Sequence, residues 1–133
     1  NKAHLEKARS FLIDAKIEAN EIEYNLAYQE AAKEVIPYCK EHGMSLIAHR
    51  PLAKGALTSG DSKLLDALAR KYGKTRVQIA LNWIISQDIT AIPKTMNAEH
   101  MIENIGALEW KMEKEDVESL RQTDGFIPYE KIK

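Results

Sequence analysis

Residues 42–48 read HGMSLIA, and this stretch decides the predicted fold class. His42-Gly43 is typical of a helix end, because glycine readily takes the left-handed backbone conformation that closes a helix. The five residues after it form a short apolar run typical of a buried strand. A helix that leads directly into a buried strand is the repeating unit of parallel α/β folds.

Two further strands are predicted on either side of this unit, over residues 17–25 and 89–93. Pro37 predicts a kink or a boundary within the helix before the central strand, because proline lacks an N–H and crowds the preceding turn. The helices are predicted over residues 3–15, 28–42, 63–72, from Thr75 to Ile85, from Asn97 onward, and over 113–122, with a tail from Gly125 to Pro128. The order α-β-α-β-(αα)-β-α-α predicts an α/β fold with about three parallel strands covered by helices.

Composition and charge exclude several functional classes. The 133 residues carry 19 basic and 20 acidic side chains, a formal net charge of −1, so we expect no nucleic acid and no anionic membrane as partner. No apolar run approaches the roughly 20 residues of a membrane span. The four histidines lack metal-ligand spacing, so no metal site is predicted.

The aromatic and thiol side chains suggest core positions. Trp83 and Trp110 are expected in the core, and Cys39 lies on the apolar face of its predicted helix, typical of a buried structural thiol. As the single cysteine, Cys39 has no second thiol for an intrachain disulfide, and a reducing, cytoplasmic location is predicted.

A sheet of three strands leaves two edges with unpaired backbone groups. It also offers little area for five or six helices. We therefore expect the missing strands to come from another copy of the chain or from a missing piece of this one.

Ligands of parallel α/β folds bind beyond the C-terminal ends of the strands. Of the three segments there, 93–97 is the most informative, since Lys94 supplies a charge, Thr95 a hydroxyl donor and the following helix start free N–H groups for a phosphate. Glu103 and Asn104 follow about one turn after His100, where they suit an adenine edge. The alternative interpretation is a solvated loop before an ordinary capped helix.

The segments at the ends of the first two strands are less specific. In segment 49–54, the ring of His49 suits stacking on a ligand ring, and Arg50 or Lys54 suits phosphate oxygens. The alternative is a plain connecting loop. In segment 21–25, Glu21 and Glu23 form a weak acid–base pair, with a solvated strand end as the alternative.

The motifs IPKT (92–95) and EHMIEN (99–104) resemble the cofactor signature near the end of aldo-keto reductases. NEIEYN (20–25), IPYC (36–39) and PLAKG (51–55) match other landmarks of that family in order and spacing. The resemblance runs from about Leu5 to about Leu120 and is greatest to small prokaryotic enzymes of the diketogluconate-reductase kind. It implies that residues 1–133 are a single incomplete domain, the C-terminal portion of a (β/α)8 TIM barrel with the family's strands six to eight.

The resemblance also implies a role for ten residues in binding NADP(H) during reduction of carbonyls to alcohols. Lys94, Thr95 and His100 correspond to positions that hold the 2′-phosphate, and Glu103 and Asn104 to positions that meet the adenine. The remaining positions cover the pyrophosphate (Leu52, Arg50 and Lys54), stack on the nicotinamide (His49) and hold its carboxamide (Glu21).

Three of these positions depart from the family pattern. His100 stands where the family often has Arg, His49 where it has Tyr or Trp, and Glu21 where it has Gln. An imidazole cannot contact a phosphate as a bidentate guanidinium does, so NAD is kept as the alternative to NADP.

No residue here matches the Asp, Tyr, Lys and His that form the family's catalytic group. The resemblance therefore implies a fragment that is inactive alone. The alternative is a non-enzymatic partial barrel that binds a dinucleotide or a partner protein, and the expected association is a homo-oligomer or a complex with a missing N-terminal half.

Overall fold

Three parallel strands form the centre of the fold. The structure is a computed structural model that describes residues 1–59 and 61–122. Strand β1 spans Ala19–Glu23, β2 spans Ser45–His49 and β3 spans Thr90–Ala91, and the sheet order is β1-β2-β3. Both neighbouring pairs are parallel. This confirms the α/β fold class and the three parallel strands that the sequence predicts.

Helices precede, connect and follow the strands in the predicted order. In the described residues they are α1 (Lys2–Ser10), α2 (Val35–Glu41), α3 (Ala56–Ser59), α4 (Lys63–Tyr72), α5 (Arg76–Ile85), α6 (Ala98–Ile105) and α7 (Lys114–Gln122). Two short 3₁₀ turns, at Glu30–Ala32 and Ala53–Gly55, lie in the connections.

The ends of α4 and α5 follow from local side-chain chemistry. The Ser62 hydroxyl accepts a hydrogen bond from the Leu65 N–H at 3.3 Å and begins α4. Gly73 ends α4 in the left-handed conformation at φ 61°. Thr75 and Gln78 then form a reciprocal capping box that begins α5.

The first helix and the first strand are shorter than predicted. Instead of covering residues 3–15, α1 ends at Ser10, because the N–H groups of Phe11 and Leu12 bond to carbonyls three residues earlier and tighten the last turn. The strand predicted over residues 17–25 keeps only the five residues of β1 that pair with β2.

The helix predicted over residues 28–42 is divided. Its first part is the 3₁₀ turn Glu30–Ala32, and its second part is α2. Pro37 lies in the first turn of α2, where an N–H would have no partner inside the helix, so it marks a boundary and not a kink.

The third strand is also shorter than predicted. Strand β3 keeps two of the five residues over 89–93, since Pro93 cannot donate to a neighbouring strand. The Ile92 N–H still bonds to the Ala48 carbonyl at 3.1 Å. Helix α3 forms where the sequence predicts no helix, and Gly60 and the tail from Gly125 lie outside the described residues.

The helices cover one face of the sheet. Leu46 and Ala48 are buried, whereas Ile47 and His49, which alternate with them along β2, are only partly buried. Glu21 of β1 pairs in register with Ile47 and is exposed. The strands therefore present a dry face to the helices and a more open face on the other side.

The core under the dry face is built around Trp83. Tyr24 stacks on Trp83 with the ring centroids 5.2 Å apart, and both side chains are fully buried. Cys39 is also fully buried, as predicted. Trp110 is only partly buried, and it packs against Tyr72 at the margin of the core.

Candidate functional site

A cavity of about 760 Å³ lies beyond the C-terminal ends of β2 and β3. Its walls come from the loop after β2, the first turn of α5, the loop after β3 and one side of α6. The lining residues are Arg50, Pro51, Leu52, Lys54, Gly55, Thr58, Thr75, Arg76, Val77, Ile92, Pro93, Lys94, Thr95, His100, Glu103 and Asn104. We call it the strand-end cavity.

The strand-end cavity brings together eight of the ten residues that the sequence selects. These are Arg50, Leu52, Lys54, Lys94, Thr95, His100, Glu103 and Asn104. They come from two segments about forty residues apart in the sequence, which meet because β2 and β3 are parallel neighbours. Basic side chains therefore line the strand-end cavity together with the Glu103 carboxylate and the Asn104 amide of α6.

His49 and Glu21 line a different cavity. It measures about 560 Å³ and also has Glu23 and Tyr28 in its wall. His49 is the last residue of β2 and pairs in register with Glu23, so both belong to the more open face of the sheet. Arg50, the next residue, lines the strand-end cavity, and its Nη1 donates to the Glu23 carboxylate at 3.2 Å. This ion pair joins the linings of the two cavities.

The start of α6 is capped by its own sequence. The Asn97 side-chain Oδ1 accepts hydrogen bonds from the N–H groups of Glu99 at 2.7 Å and His100 at 3.4 Å. The Asn97 N–H in turn donates to the Thr95 hydroxyl at 3.1 Å. The expectation that the N–H groups at this helix start are open to a phosphate is wrong for these two, because the asparagine cap uses them.

The loop after β2 has an unusual backbone. Arg50, Ala53 and Lys54 have φ angles of 50°, 49° and 55°, in the left-handed region that non-glycine residues rarely adopt. Such conformations persist only where the surrounding structure holds them, and they cluster at ligand-binding segments.

Asn25 holds this loop in place. Its side chain is fully buried, donates from Nδ2 to the Arg50 carbonyl at 3.0 Å and accepts at Oδ1 from the Ala27 N–H at 3.0 Å. Asn25 lies in the strand-end segment 21–25 and in the motif NEIEYN, but no role was predicted for it. A polar residue at the last position of a predicted strand is a signal that could have selected it.

Arg76 is a second residue that sequence analysis did not select. Its Nε donates to Asp66 Oδ1 at 2.7 Å, and this hydrogen bond lowers the pKa of the Asp66 carboxyl below its ordinary value. The same bond raises the pKa of the Arg76 guanidinium. Thr75 directly before it is recognisable as a helix cap, and a cap near the ligand end of the strands is the signal that could have drawn attention to Arg76.

None of the helices in residues 1–59 and 61–122 is long and apolar enough to cross a bilayer. In the same residues, no three His, Cys, Asp or Glu side chains are grouped so that they could hold a metal ion.

The chain is similar to curated enzymes of bacteria and plants. Glyoxal reductase from Bacillus subtilis (strain 168) is 31% identical over 119 residues, which are 88% of this chain and 41% of that protein. The NAD(P)H-dependent 6′-deoxychalcone synthase of Glycine max is 31% identical over 107 residues, 77% of this chain and 33% of that protein. The chain thus spans less than half of the length of these relatives.

Solved structures give the same result. The thermostable aldo-keto reductase Tm1743, crystallised with the inhibitor epalrestat, superposes with a TM-score of 0.84 at 29% identity, over 90% of this chain and 44% of that one. An aldo-keto reductase from Klebsiella pneumoniae in complex with NADPH superposes with a TM-score of 0.71 at 28% identity, over 78% of this chain and 38% of that one.

The sequence profile of the Aldo/keto reductase family matches residues 2–124. With the parallel strands and the superposition on aldo-keto reductases, this match confirms the resemblance that the motifs suggest. The chain belongs to the aldo/keto reductase family.

Proposed function

We propose that this chain forms the cofactor-binding, C-terminal portion of an NADP(H)-dependent carbonyl reductase. The observation that carries the proposal is the convergence of eight expected cofactor residues on the strand-end cavity. Its lining suits a dinucleotide, because the basic side chains match phosphate oxygens, and the Glu103 carboxylate and Asn104 amide match a base edge.

Each side chain has a distinct part in this proposal. Lys94 and His100 bind the 2′-phosphate, and Thr95 shapes their loop through its bond with Asn97. The other lining residues bind adenine (Glu103 and Asn104) and the pyrophosphate (Leu52, Arg50 and Lys54). The second cavity takes the nicotinamide end, with His49 against the ring and Glu21 at the carboxamide.

The residues of this chain hold the cofactor and do not supply the proton of the reaction. Bound NADPH supplies a hydride for a carbonyl carbon. The developing alkoxide needs an acid beside it, and no residue here matches the family's Asp, Tyr, Lys and His. We propose that the chain alone is inactive and that these residues come from the portion of the relatives that this chain does not span.

Binding of the cofactor tests the proposal directly. NADPH fluorescence should rise and shift on titration with the chain, and competition with NADP⁺ and NAD⁺ should give dissociation constants that rank NADP⁺ above NAD⁺. Absence of binding by NADPH, NADP⁺ and NAD⁺ to the folded chain would refute the proposal. Equal affinity for NADP⁺ and NAD⁺ would support binding of a nicotinamide dinucleotide but contradict the preference for NADP⁺.

A second candidate function is partner binding by a self-assembling partial barrel. In the described part of the chain, the exposed large apolar side chains fall in two segments, 11–13 and 92–108. In the sequence, the first segment precedes β1 and the second begins directly after β3, and β1 and β3 are the outer strands of the sheet. Apolar surface beside an unpaired strand edge is typical of an interface, either with a second copy or with a polypeptide that carries the remaining strands.

We further propose a cytoplasmic location. The sequence has one cysteine, and Cys39 is buried in the core, where it supports no disulfide. This cysteine usage matches a reducing compartment.

A further inference from the structure

The loop after β2, residues 50–55, carries the three residues proposed to cover the pyrophosphate, Arg50, Leu52 and Lys54. Arg50, Ala53 and Lys54 have left-handed φ angles. A residue with a Cβ atom meets steric repulsion in this conformation, so three such residues in one short loop need contacts that hold them there. The shape that presents Leu52 and Lys54 to the strand-end cavity is therefore imposed on the loop by its surroundings.

Asn25 supplies such a contact at the start of the loop. The Arg50 carbonyl accepts two hydrogen bonds, one from the Ala53 N–H within the loop at 2.9 Å and one from Asn25 Nδ2 at 3.0 Å. This carbonyl belongs to the peptide group that joins Arg50 to Pro51, so its direction defines the backbone angle ψ at which the chain leaves β2. Asn25 comes two residues after the end of β1, so the neighbouring strand fixes the direction of the loop.

Asn25 is itself held by its own turn. Its Oδ1 accepts from the Ala27 N–H at 3.0 Å, and its backbone N–H and carbonyl exchange hydrogen bonds with Tyr28 at 3.1 Å and 3.0 Å. An N–H can donate only to the amide oxygen, so the contact with Ala27 leaves the amide nitrogen facing Arg50. Asn25 is fully buried and is not among the residues that line the strand-end cavity, so it acts on a ligand there only through the loop.

We infer that Asn25 is a positioning residue that holds the loop after β2 in the shape that binds the pyrophosphate of the dinucleotide. The inference rests on the proposed function and adds to it a residue outside the cavity lining. Without this contact the loop has the binding shape for only a fraction of the time, and the dissociation constant rises by the inverse of that fraction. The residues proposed for the adenine and the 2′-phosphate lie in segment 94–104 and not in this loop, so their contacts should be unaffected.

The test compares two ligands on Asn25→Ala in the full chain, by calorimetry under conditions in which circular dichroism shows the variant folded. NADP⁺ contains the pyrophosphate, whereas adenosine 2′-monophosphate has the adenine and the 2′-phosphate without it. We expect binding of NADP⁺ to weaken at least fivefold and binding of adenosine 2′-monophosphate to stay within twofold. Equal weakening for both ligands would show a general structural role and overturn the inference, as would unchanged binding of NADP⁺.

Asn82→Ala is the matched control. It removes another buried asparagine side chain, whose Nδ2 donates to the carbonyls of Ala107 and Trp110 and which does not line the strand-end cavity. The dissociation constant for NADP⁺ should stay within twofold of that of the unmodified chain. A loss as large as that of Asn25→Ala would contradict the inference.

If Asn25→Ala fails to fold, Asn25→Ser decides. A serine hydroxyl can accept from the Ala27 N–H in the same kind of turn, but it does not replace the Nδ2 donor to Arg50. Binding of NADP⁺ should then weaken at least threefold, and an unchanged constant would contradict the inference. Absence of NADP⁺ binding to the unmodified chain refutes the proposed function together with this inference, whereas normal binding by Asn25→Ala refutes only the inference.

Discussion

At the scale of single residues, Asn25 is the side chain on which the loop of the strand-end cavity most depends. Asn25→Ala removes the donor to the Arg50 carbonyl and the acceptor for the Ala27 N–H from a fully buried position. We expect the free energy of unfolding to fall by about 2 kcal/mol, because the Ala27 N–H and the Arg50 carbonyl both lose their Asn25 partner. Urea unfolding measures this, and Asn25→Asp should lose at least as much, because it buries a carboxylate against the Arg50 carbonyl although one oxygen still accepts from Ala27. Unchanged stability in Asn25→Ala would contradict the assigned contacts.

A second residue-scale prediction concerns the pH dependence of the Asp66–Arg76 pair. The hydrogen bond from Arg76 lowers the pKa of Asp66 below its ordinary value of 3.8. The stability that this pair contributes is therefore present above that ordinary value and is lost as the pH falls through the lowered pKa. The difference in unfolding free energy between the unmodified chain and Asp66→Asn should shrink between pH 7 and pH 3. A constant difference would argue against the pair.

At the scale of elements, the contact between α5 and α6 depends on Gln78 and Gly106. Gly106→Ala would push the flexible Gln78 amide off the Glu103 carbonyl, and we expect a cost of about 1 kcal/mol from the lost hydrogen bond. In a Gln78→Ala background the same change should cost much less, because the amide it collides with is gone. A double-mutant cycle measured by urea unfolding gives the coupling, and zero coupling would contradict the contact.

Gln78→Glu tests the same contact without removing the helix cap. Glutamate keeps the acceptor for the Thr75 N–H but cannot donate to the Glu103 carbonyl while it is ionised. We expect the helix content measured by circular dichroism to be unchanged and the affinity for NADP⁺ to fall severalfold. Unchanged affinity would show that the α5–α6 separation does not govern binding.

How far the sequence predicts these elements depends on how local their causes are. Ser62, Thr75 and Asn97 each cap a helix start through a hydrogen bond to an N–H no more than three residues away. The starts of α4, α5 and α6 therefore agree with the prediction. The short β3 was not predictable in length, since pairing with β2 sets it. The family motifs contain most residues that line the strand-end cavity. The contacts of Asn25 and Arg76 were not predicted, because their hydrogen-bond partners lie 25 and 10 residues away in the sequence.

At the scale of the whole molecule, the apolar side chains beside the outer strands predict association. Ile102 and Ile105 of α6 are exposed, and burying such side chains in an interface is worth about 1.5–3 kcal/mol each. Light scattering should find oligomers or poor solubility for the unmodified chain. Ile102→Glu with Ile105→Lys should shift the population towards monomer. A monodisperse monomer before any substitution would count against an interface at this face.

Helix α6, which lines the strand-end cavity, is attached to the rest of the fold by few buried contacts. No residue of α6 is buried, and the strand that leads into it has two residues. Its amide protons should therefore exchange with solvent through local opening, well before those of the fully buried stretch of α5. If a dinucleotide binds only when α6 is folded in place, part of its binding free energy is used to suppress the local opening of α6. Saturating the chain with the dinucleotide should then slow amide exchange in α6 more than in the other helices. Hydrogen exchange in α6 would then report occupancy of the site most directly.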